Sequence, residues 1–341
     1  MHVEMIGWPD SAWDAFVEGH PEGKLCHTWA WNSMIERTFG HVSFRLAAYE
    51  GRTLQGILAL TLVRSRLFGT QMVSQAFSNY GGPLVSNKEA VPLLLNYAYR
   101  LAREQGCRQI EFRGTSSLAV EHYRRTDKVC MHLPLDPNPD AVWRGFRSEI
   151  RNRVRKAQKA GLTAVGGGAE LLSEFYDVWT IRMRQLGTPC YSKRFFHNLI
   201  EQFPTYVRVI VIRHGRTPVG TGLFYAFNRL AQCRWAATLT GANSLSPNML
   251  LYWTAIEHYC RAGISTFDFG RSTVGGPQYE FKRRWGAQAI PLYYEYWTVP
   301  GYPMQVTTPN DPRYRRKVEL WKRLPLRVTR VLGPRISCSL A

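Results

Sequence analysis

Between Thr266 and Gly286 an alternating strand, Thr266-Phe267-Asp268-Phe269, passes through Gly270-Arg271-Ser272 toward a short basic helix, Tyr279-Glu280-Phe281-Lys282-Arg283-Arg284-Trp285-Gly286. Strand side chains alternate between faces, so Phe267 and Phe269 point to one side and Asp268 to the other. In the helix, Phe281 and Trp285 are four residues apart and pack together. Tyr279 and Lys282 flank that packed side. The spacing places the Lys282 stem on apolar surface and its ammonium at a rim. A strand, a glycine turn and a returning helix thus gather Asp268, Arg271, Tyr279 and Lys282 at one sheet edge. Nowhere else in the chain do residue type, spacing and predicted structure converge on one chemistry, the handling of an acyl group.

The rest of the pattern is mixed α/β. Helices are predicted at Trp29 to Phe39 and Ala90 to Gln105. Strands are predicted at Ser43 to Tyr49 and Thr53 to Val63 around the turn Glu50-Gly51-Arg52, at Gln109 to Arg113, and at Val129 to Leu135. After the proline-rich stretch Pro134 to Pro139, a long basic helix is expected from about Ala141 to Ala160. Helices at Ala169 to Leu186 and Ser192 to Gln202 follow, then strands at Arg208 to Arg213, Pro218 to Phe227 and Gln232 to Leu239. The next helix runs from Pro247 to Ala262, with Ser246 as N-cap and Gly263 beyond its end. A final strand, Pro291 to Trp297, is assigned to the second half. The two halves share an element order, so two domains of the same mixed-sheet type are expected over residues 1–140 and 141–300, with a basic tail over 301–341. A cleft between such copies is a common ligand position.

At 341 residues and 45% hydrophobic content the chain has ample material for packed cores. Its 44 Lys+Arg against 25 Asp+Glu leave a formal charge of +19, which favours anionic partners or serves solubility alone. The seven cysteines are scattered without a Cys-x-x-Cys pair, and the nine histidines show no metal-ligand spacing, so no metal is expected. Gly-x-Ser-x-Gly, His-Glu-x-x-His and Walker sequences are absent. Met1 to His20 lacks the pattern of a signal peptide and no apolar run approaches a membrane span. A cytoplasmic, reducing location is the expectation.

Two further features carry candidate residues. In the predicted basic helix Trp143, Phe146, Ile150, Val154 and Ala157 form an apolar stripe, while Arg144, Arg147, Arg151 and Arg155 form a ridge about a quarter-turn away. Planar guanidiniums in a row suit phosphate recognition, and equally a solvated face. From Arg313 to Arg335 nine basic residues accompany one acid, Glu319, and Val318, Trp321, Leu324, Val328 and Val331 keep a helical rhythm broken by Pro325. Such a segment lies on anionic lipid or packs on the body with its charges in water. Asp268, in turn, either orients a substrate amine or hydroxyl or pairs with Arg271. Lys282 either stabilises the oxyanion of an acyl-transfer intermediate or is an ordinary surface lysine.

With these motifs the chain resembles the FemAB family, within the wider set of Gcn5-related N-acetyltransferase (GNAT) folds. More narrowly it is similar to FemAB-like proteins associated with exosortase and PEP-CTERM systems. The resemblance covers about residues 10 to 300. It is strongest in Lys156-Ala157-Gln158-Lys159-Ala160-Gly161, Asp268-Phe269-Gly270-Arg271 and Phe281-Lys282-Arg283-Arg284-Trp285-Gly286, and weaker in Thr28-Trp29-Ala30-Trp31 and Asn79-Tyr80-Gly81-Gly82-Pro83. It implies an α/β fold of tandem GNAT-like domains. It also implies transfer of an amino acid from aminoacyl-tRNA to an amine of a cell-wall precursor, with the Lys282 position at the reaction centre. No bound cofactor is expected. Where acetyl-CoA enzymes of this fold carry a glycine-rich turn, this chain has Leu245-Ser246-Pro247-Asn248-Met249-Leu250; Pro247 lacks an N–H, so acyl-CoA is disfavoured as donor.

The combined expectation is an acyltransferase forming an amide on a cell-envelope or exopolysaccharide precursor. Lys282, Asp268, Arg271 and Tyr279 would lie at the reaction, and Arg144, Arg147, Arg151, Arg155, Asn79, Tyr80 and Asn248 would bind substrate. Its partners would be a phosphorylated or nucleotide-linked precursor, tRNA, and an anionic membrane face met by the tail. The alternatives are an N-acyltransferase using a CoA or carrier-protein thioester, and a non-enzymatic basic adaptor of polymer-export machinery.

Overall fold

The computed structural model describes residues 1–65, 69–304 and 314–340. The chain divides into two compact units. One is built from Met1–Val129 with the segment that begins at Pro291, the other from Cys130–Ile290 with the C-terminal helices.

The first unit contains β1 (His2–Met5), α1 (Ser11–Gly19), α2 (Trp29–Phe39), β2 (Val42–Glu50), β3 (Thr53–Ser65), β4 (Gly69–Ser74), β5 (Leu84–Val85), α3 (Ala90–Glu104), β6 (Gln109–Gly114) and β7 (Tyr123–Arg125). The β2–β3 hairpin turns at Gly51, whose φ of +60° lies in the left-handed region that glycine enters without strain. Helix α3 buries Leu94, Ala98 and Leu101 in one cluster with Leu46, Leu58, Leu60 and Ile110 of the sheet. Thr28 caps α2 by accepting the Trp31 N–H, and Gly40 closes it at φ +72°.

The second unit contains β8 (Lys128–Pro134), α4 (Pro139–Gly145), α5 (Ser148–Lys159), β9 (Leu162–Gly167), α6 (Leu172–Leu186), α7 (Lys193–Gln202), β10 (Val207–His214), β11 (Thr217–Phe227), β12 (Leu230–Thr238), α8 (Pro247–Arg261), β13 (Thr266–Thr273), α9 (Pro277–Arg284) and β14 (Gln288–Pro291). Its seven strands run in the order β14-β8-β13-β12-β11-β10-β9. The β9–β12 ladders are antiparallel, whereas β12 and β13 are parallel, joined by a crossover through α8. The chain then enters β15 (Tyr293–Thr298), α10 (Arg315–Arg323) and α11 (Leu326–Ser337).

Five sequence expectations change. The strand assigned to the second half is β15, and it belongs to the first sheet, antiparallel to β6 and β7 in the order β1-β2-β3-β4-β6-β15-β7. Its Glu295 is fully buried and ion-paired at 2.7 Å to Arg124, a partner far away in sequence. The division falls within β8, between Val129 and Cys130, rather than at the proline-rich stretch, because β8 is a strand of the second sheet.

The long basic helix is two helices. Phe146 and Arg147 are extended between them, each with ψ of 147°. Arg151 spans the break by donating to the carbonyls of Arg144 (3.1 Å) and Phe146. Ser246 occupies the N-cap position of α8 in a left-handed conformation, φ +59°, with no side-chain capping bond. In the C-terminal segment, Arg313 lies outside the described residues; α10 and α11 break at Pro325 into separate helices, and Val328 and Val331 are exposed, not inward-facing.

Burial lowers the His27 imidazole to about 3 from its ordinary 6.5, with the charge of Lys24 as the next cause. Between those values the unfolded chain binds one proton more than the native chain. Stability therefore rises with pH through this window and is lost as pH falls through it. We expect His27→Gln to flatten the acid limb of urea-unfolding stability by on the order of 3 kcal/mol between pH 7 and 4.

Candidate active site

The site begins where two strands of the second unit part. The parallel register of β12 and β13 runs from Leu230↔Thr266 through Ala231↔Phe267 to Gln232↔Asp268 and ends there, although both strands continue. Each strand is irregular at this point. Against β11, Cys233 faces Phe224 and Trp235 faces Leu223, so Arg234 is an extra, bulged residue of β12. In β13, Gly270 has φ +80°, and a Cβ there would lie 2.9 Å from the carbonyl oxygen of Cys233.

Lys282 of α9 enters at this parting. Its Nζ donates to the carbonyls of Gly270 (2.8 Å) and Arg271 (3.0 Å), and the residue is only 5% exposed. The expected rim lysine is therefore a buried one. Desolvation pulls its pKa down, opposed by nearby Cys233, Asp268 and Cys130 and reinforced by Arg271. Asp268 is fully buried. Its Oδ1 accepts the Gly270 N–H at 2.7 Å, and its Oδ2 stands 3.9 Å from Nε2 of His132 on β8. Asp268 is thus mid-strand in β13 and tied to the backbone of Gly270. His132 escaped sequence reasoning because a lone histidine on an alternating strand carries no motif. Ser272, 4% exposed, has a buried hydroxyl with no hydrogen-bond partner. Burial raises the Cys233 thiol to about 12, so it is no thiolate nucleophile.

An aromatic block fixes α9. Trp285, 1% exposed, meets Phe146 at 5.2 Å, Phe269 at 5.9 Å and Tyr252 at 6.1 Å between ring centroids. The expected Phe281–Trp285 contact forms at 6.5 Å. The apolar stripe of the basic segment continues the block, with Trp143 4.6 Å from Trp253 and with Ile150, Val154 and Ala157 buried. The expected arginine ridge is not a uniform row. Arg151 is spent on backbone carbonyls, and Arg155 lies 5.6 Å over the Trp143 ring. Arg144, Arg147 and Arg155 are exposed and Arg151 half-buried. Arg284 reaches Glu149 of α5 at 3.5 Å.

Arg271 is exposed, and Tyr279 and Asn248 are half-buried. The start of α8 gives little room for an anion cradle. Pro247 has no N–H, and the Met249 N–H is spent on the Ser246 carbonyl. Asn79 and Tyr80 belong to the first unit and are 4% and 2% exposed. The Asn79 carbonyl accepts the Tyr294 hydroxyl at 3.1 Å, and the Tyr80 N–H donates to Ser78 at 3.2 Å.

The fold so defined is α/β with two mixed sheets, and residues 144–283 match the acetyltransferase (GNAT) domain family model. The chain is 25% identical over 213 residues to a lipid II:glycine glycyltransferase of Staphylococcus aureus, covering 55% of this chain and 49% of that protein. It thus spans about half the length of the curated relatives it matches. Its fold is similar to that of the FemX crystal structure, with TM-score 0.65, 17% identity, and coverage of 85% of this chain and 96% of that one. It is also similar to a tandem GNAT protein from the clavulanic acid biosynthesis pathway, with TM-score 0.51, 14% identity, and coverage of 89% and 100%. These likenesses support the FemAB resemblance on a GNAT fold.

The left-handed glycine of β13 offers a direct test of the local geometry. Gly270→Ala puts a Cβ at positive φ against a backbone oxygen. We expect it to lower unfolding free energy by about 1–3 kcal/mol, read by urea titration.

Proposed function

We propose that this chain is an aminoacyl-type acyltransferase that forms an amide on an amine-bearing cell-envelope or exopolysaccharide precursor. The observation that carries this reading is the buried Lys282 ammonium at the parting of β12 and β13, inside the stretch that matches a GNAT domain. The S. aureus glycyltransferase supports an aminoacyl donor and a lipid-linked envelope acceptor. Charged tRNA is the donor we favour, because the α8 start is poor in free N–H groups for a CoA pyrophosphate. The narrower placement beside exosortase-associated relatives rests on the sequence motifs alone.

In the proposed reaction the acceptor amine attacks the ester carbonyl. A C–N bond forms, the C–O bond to the donor breaks, and the amine's proton passes to the departing alkoxide. Two of the three Lys282 N–H groups are engaged by backbone carbonyls. The third points its charge at the developing oxyanion, in a water-poor setting where such a donor is strong. The carbonyl bonds and Asp268 keep the ammonium in place. Ser272, Arg271 and Tyr279 position the acceptor, and Arg144 and Arg147 meet its phosphates. Burial keeps the Cys233 thiol protonated, so Cys233 is not assigned as a nucleophile.

The test is turnover of an amine-bearing, nucleotide- or lipid-linked precursor with aminoacyl-tRNA, acetyl-CoA or acylated carrier protein offered separately. Turnover with tRNA is expected. Turnover only with a thioester would establish the CoA or carrier-protein alternative, and binding without turnover in all arms the adaptor. On the accepted substrate, Lys282→Met should lose about 10²–10³ in kcat; full activity would remove the lysine from the mechanism.

A further inference from the structure

We propose that the outward face of the C-terminal helix pair docks on an anionic lipid bilayer, independently of the acyl-transfer reading. The pair is fastened to the second unit. On α11, Thr329, Gly333 and Ser337 recur every fourth residue and are buried. Ser337 donates to the Cys190 carbonyl at 3.0 Å, and a Cβ on Gly333 would lie 2.7 Å from the Cys190 sulfur. Arg330 reaches Asp177 at 2.6 Å, and Trp321 of α10 is buried. The opposite face is therefore held outward by packing.

That outward face is apolar and basic together. Leu320 is 63% exposed, Val331 58%, Leu332 38% and Val328 37%. Val328, Val331, Leu332 and Arg335 stand at i, i+3, i+4 and i+7, one stripe of α11. Around Leu320 on α10, Arg316 at i−4 and Arg323 at i+3 share its side and are exposed. Glu319 is the sole acid of residues 314–340, and it is already paired to Lys322 at 2.7 Å.

Single exposed aliphatic residues are ordinary, but four on two successive helices among arginines are not needed for solubility. A bilayer interface satisfies both kinds at once. The aliphatic tips enter the acyl boundary, and the guanidiniums stay with lipid phosphates. RNA would answer the arginines and leave the aliphatics in water. Among the described residues no helix is long and apolar enough to cross a membrane, so the contact is peripheral.

Cosedimentation of the full chain with vesicles tests this. Wild type should bind phosphatidylcholine–phosphatidylglycerol vesicles and leave phosphatidylcholine vesicles in solution. Leu320→Gln with Val331→Gln preserves charge and should weaken partition about tenfold. Arg316→Gln with Arg323→Gln should weaken it at least tenfold at low salt, from about fivefold per basic residue. Both pairs are surface changes, and unchanged thermal melting confirms folding. An environment-sensitive dye on Val331→Cys should shift to the blue with anionic vesicles. Equal binding to both vesicle types, full binding by the double-Gln aliphatic variant, or tRNA binding in place of vesicle binding would overturn the proposal.

Discussion

A lysine ammonium buried where two parallel strands separate is the constraint on which the site depends. An unpaired ammonium in such a place would cost several kcal/mol or lose its proton. Here it takes the carbonyls of Gly270 and Arg271 as acceptors, beside the Asp268 carboxylate. Those carbonyls lie just past the last β12–β13 register pair. The charge thus supplies hydrogen bonds to β13 carbonyls beyond its last ladder pair with β12.

Everything around that pair serves to hold it. Gly270 supplies the positive φ that turns β13, and Asp268 accepts its N–H. Trp285 locks the helix that delivers the lysine, through rings from Phe146, Phe269 and Tyr252. The same aromatic block seats α4 and α5, so basic side chains and the buried ammonium are carried by one packed layer. Preorganised charge in a dry setting is what acyl transfer needs, since a flexible surface lysine would pay to reorganise at each turnover.

Helix α11 obeys a different logic. Small or polar residues, Thr329, Gly333 and Ser337, face inward, and Val328, Val331 and Leu332 face out. This inverts the arrangement of an ordinary surface helix, where the apolar stripe faces the body. Close approach at Gly333 fixes which side is hidden, so the inversion follows from packing against Cys190.

The sequence by itself determined the local elements and the cluster of motif residues. Periodicity gave α2, the β2–β3 hairpin and the β10–β12 meander, because each depends on residues a few positions apart. It also gave the strand-turn-helix that carries Asp268 and Lys282, and the Phe281–Trp285 contact. Only the tertiary structure decided what depends on distant partners. Glu295 places β15 in the first sheet through Arg124, and a bulged β12 and a left-handed Gly270 in β13 stand where the ladder ends and Lys282 enters. His132 acquires meaning only from Asp268 on the neighbouring strand. The break at Phe146 and Arg147 was hidden because apolar spacing persists across it, while the extended backbone there answers to Trp253 and Trp285. Periodicity reports which face of an element is apolar; which face another element covers is settled by packing across the fold.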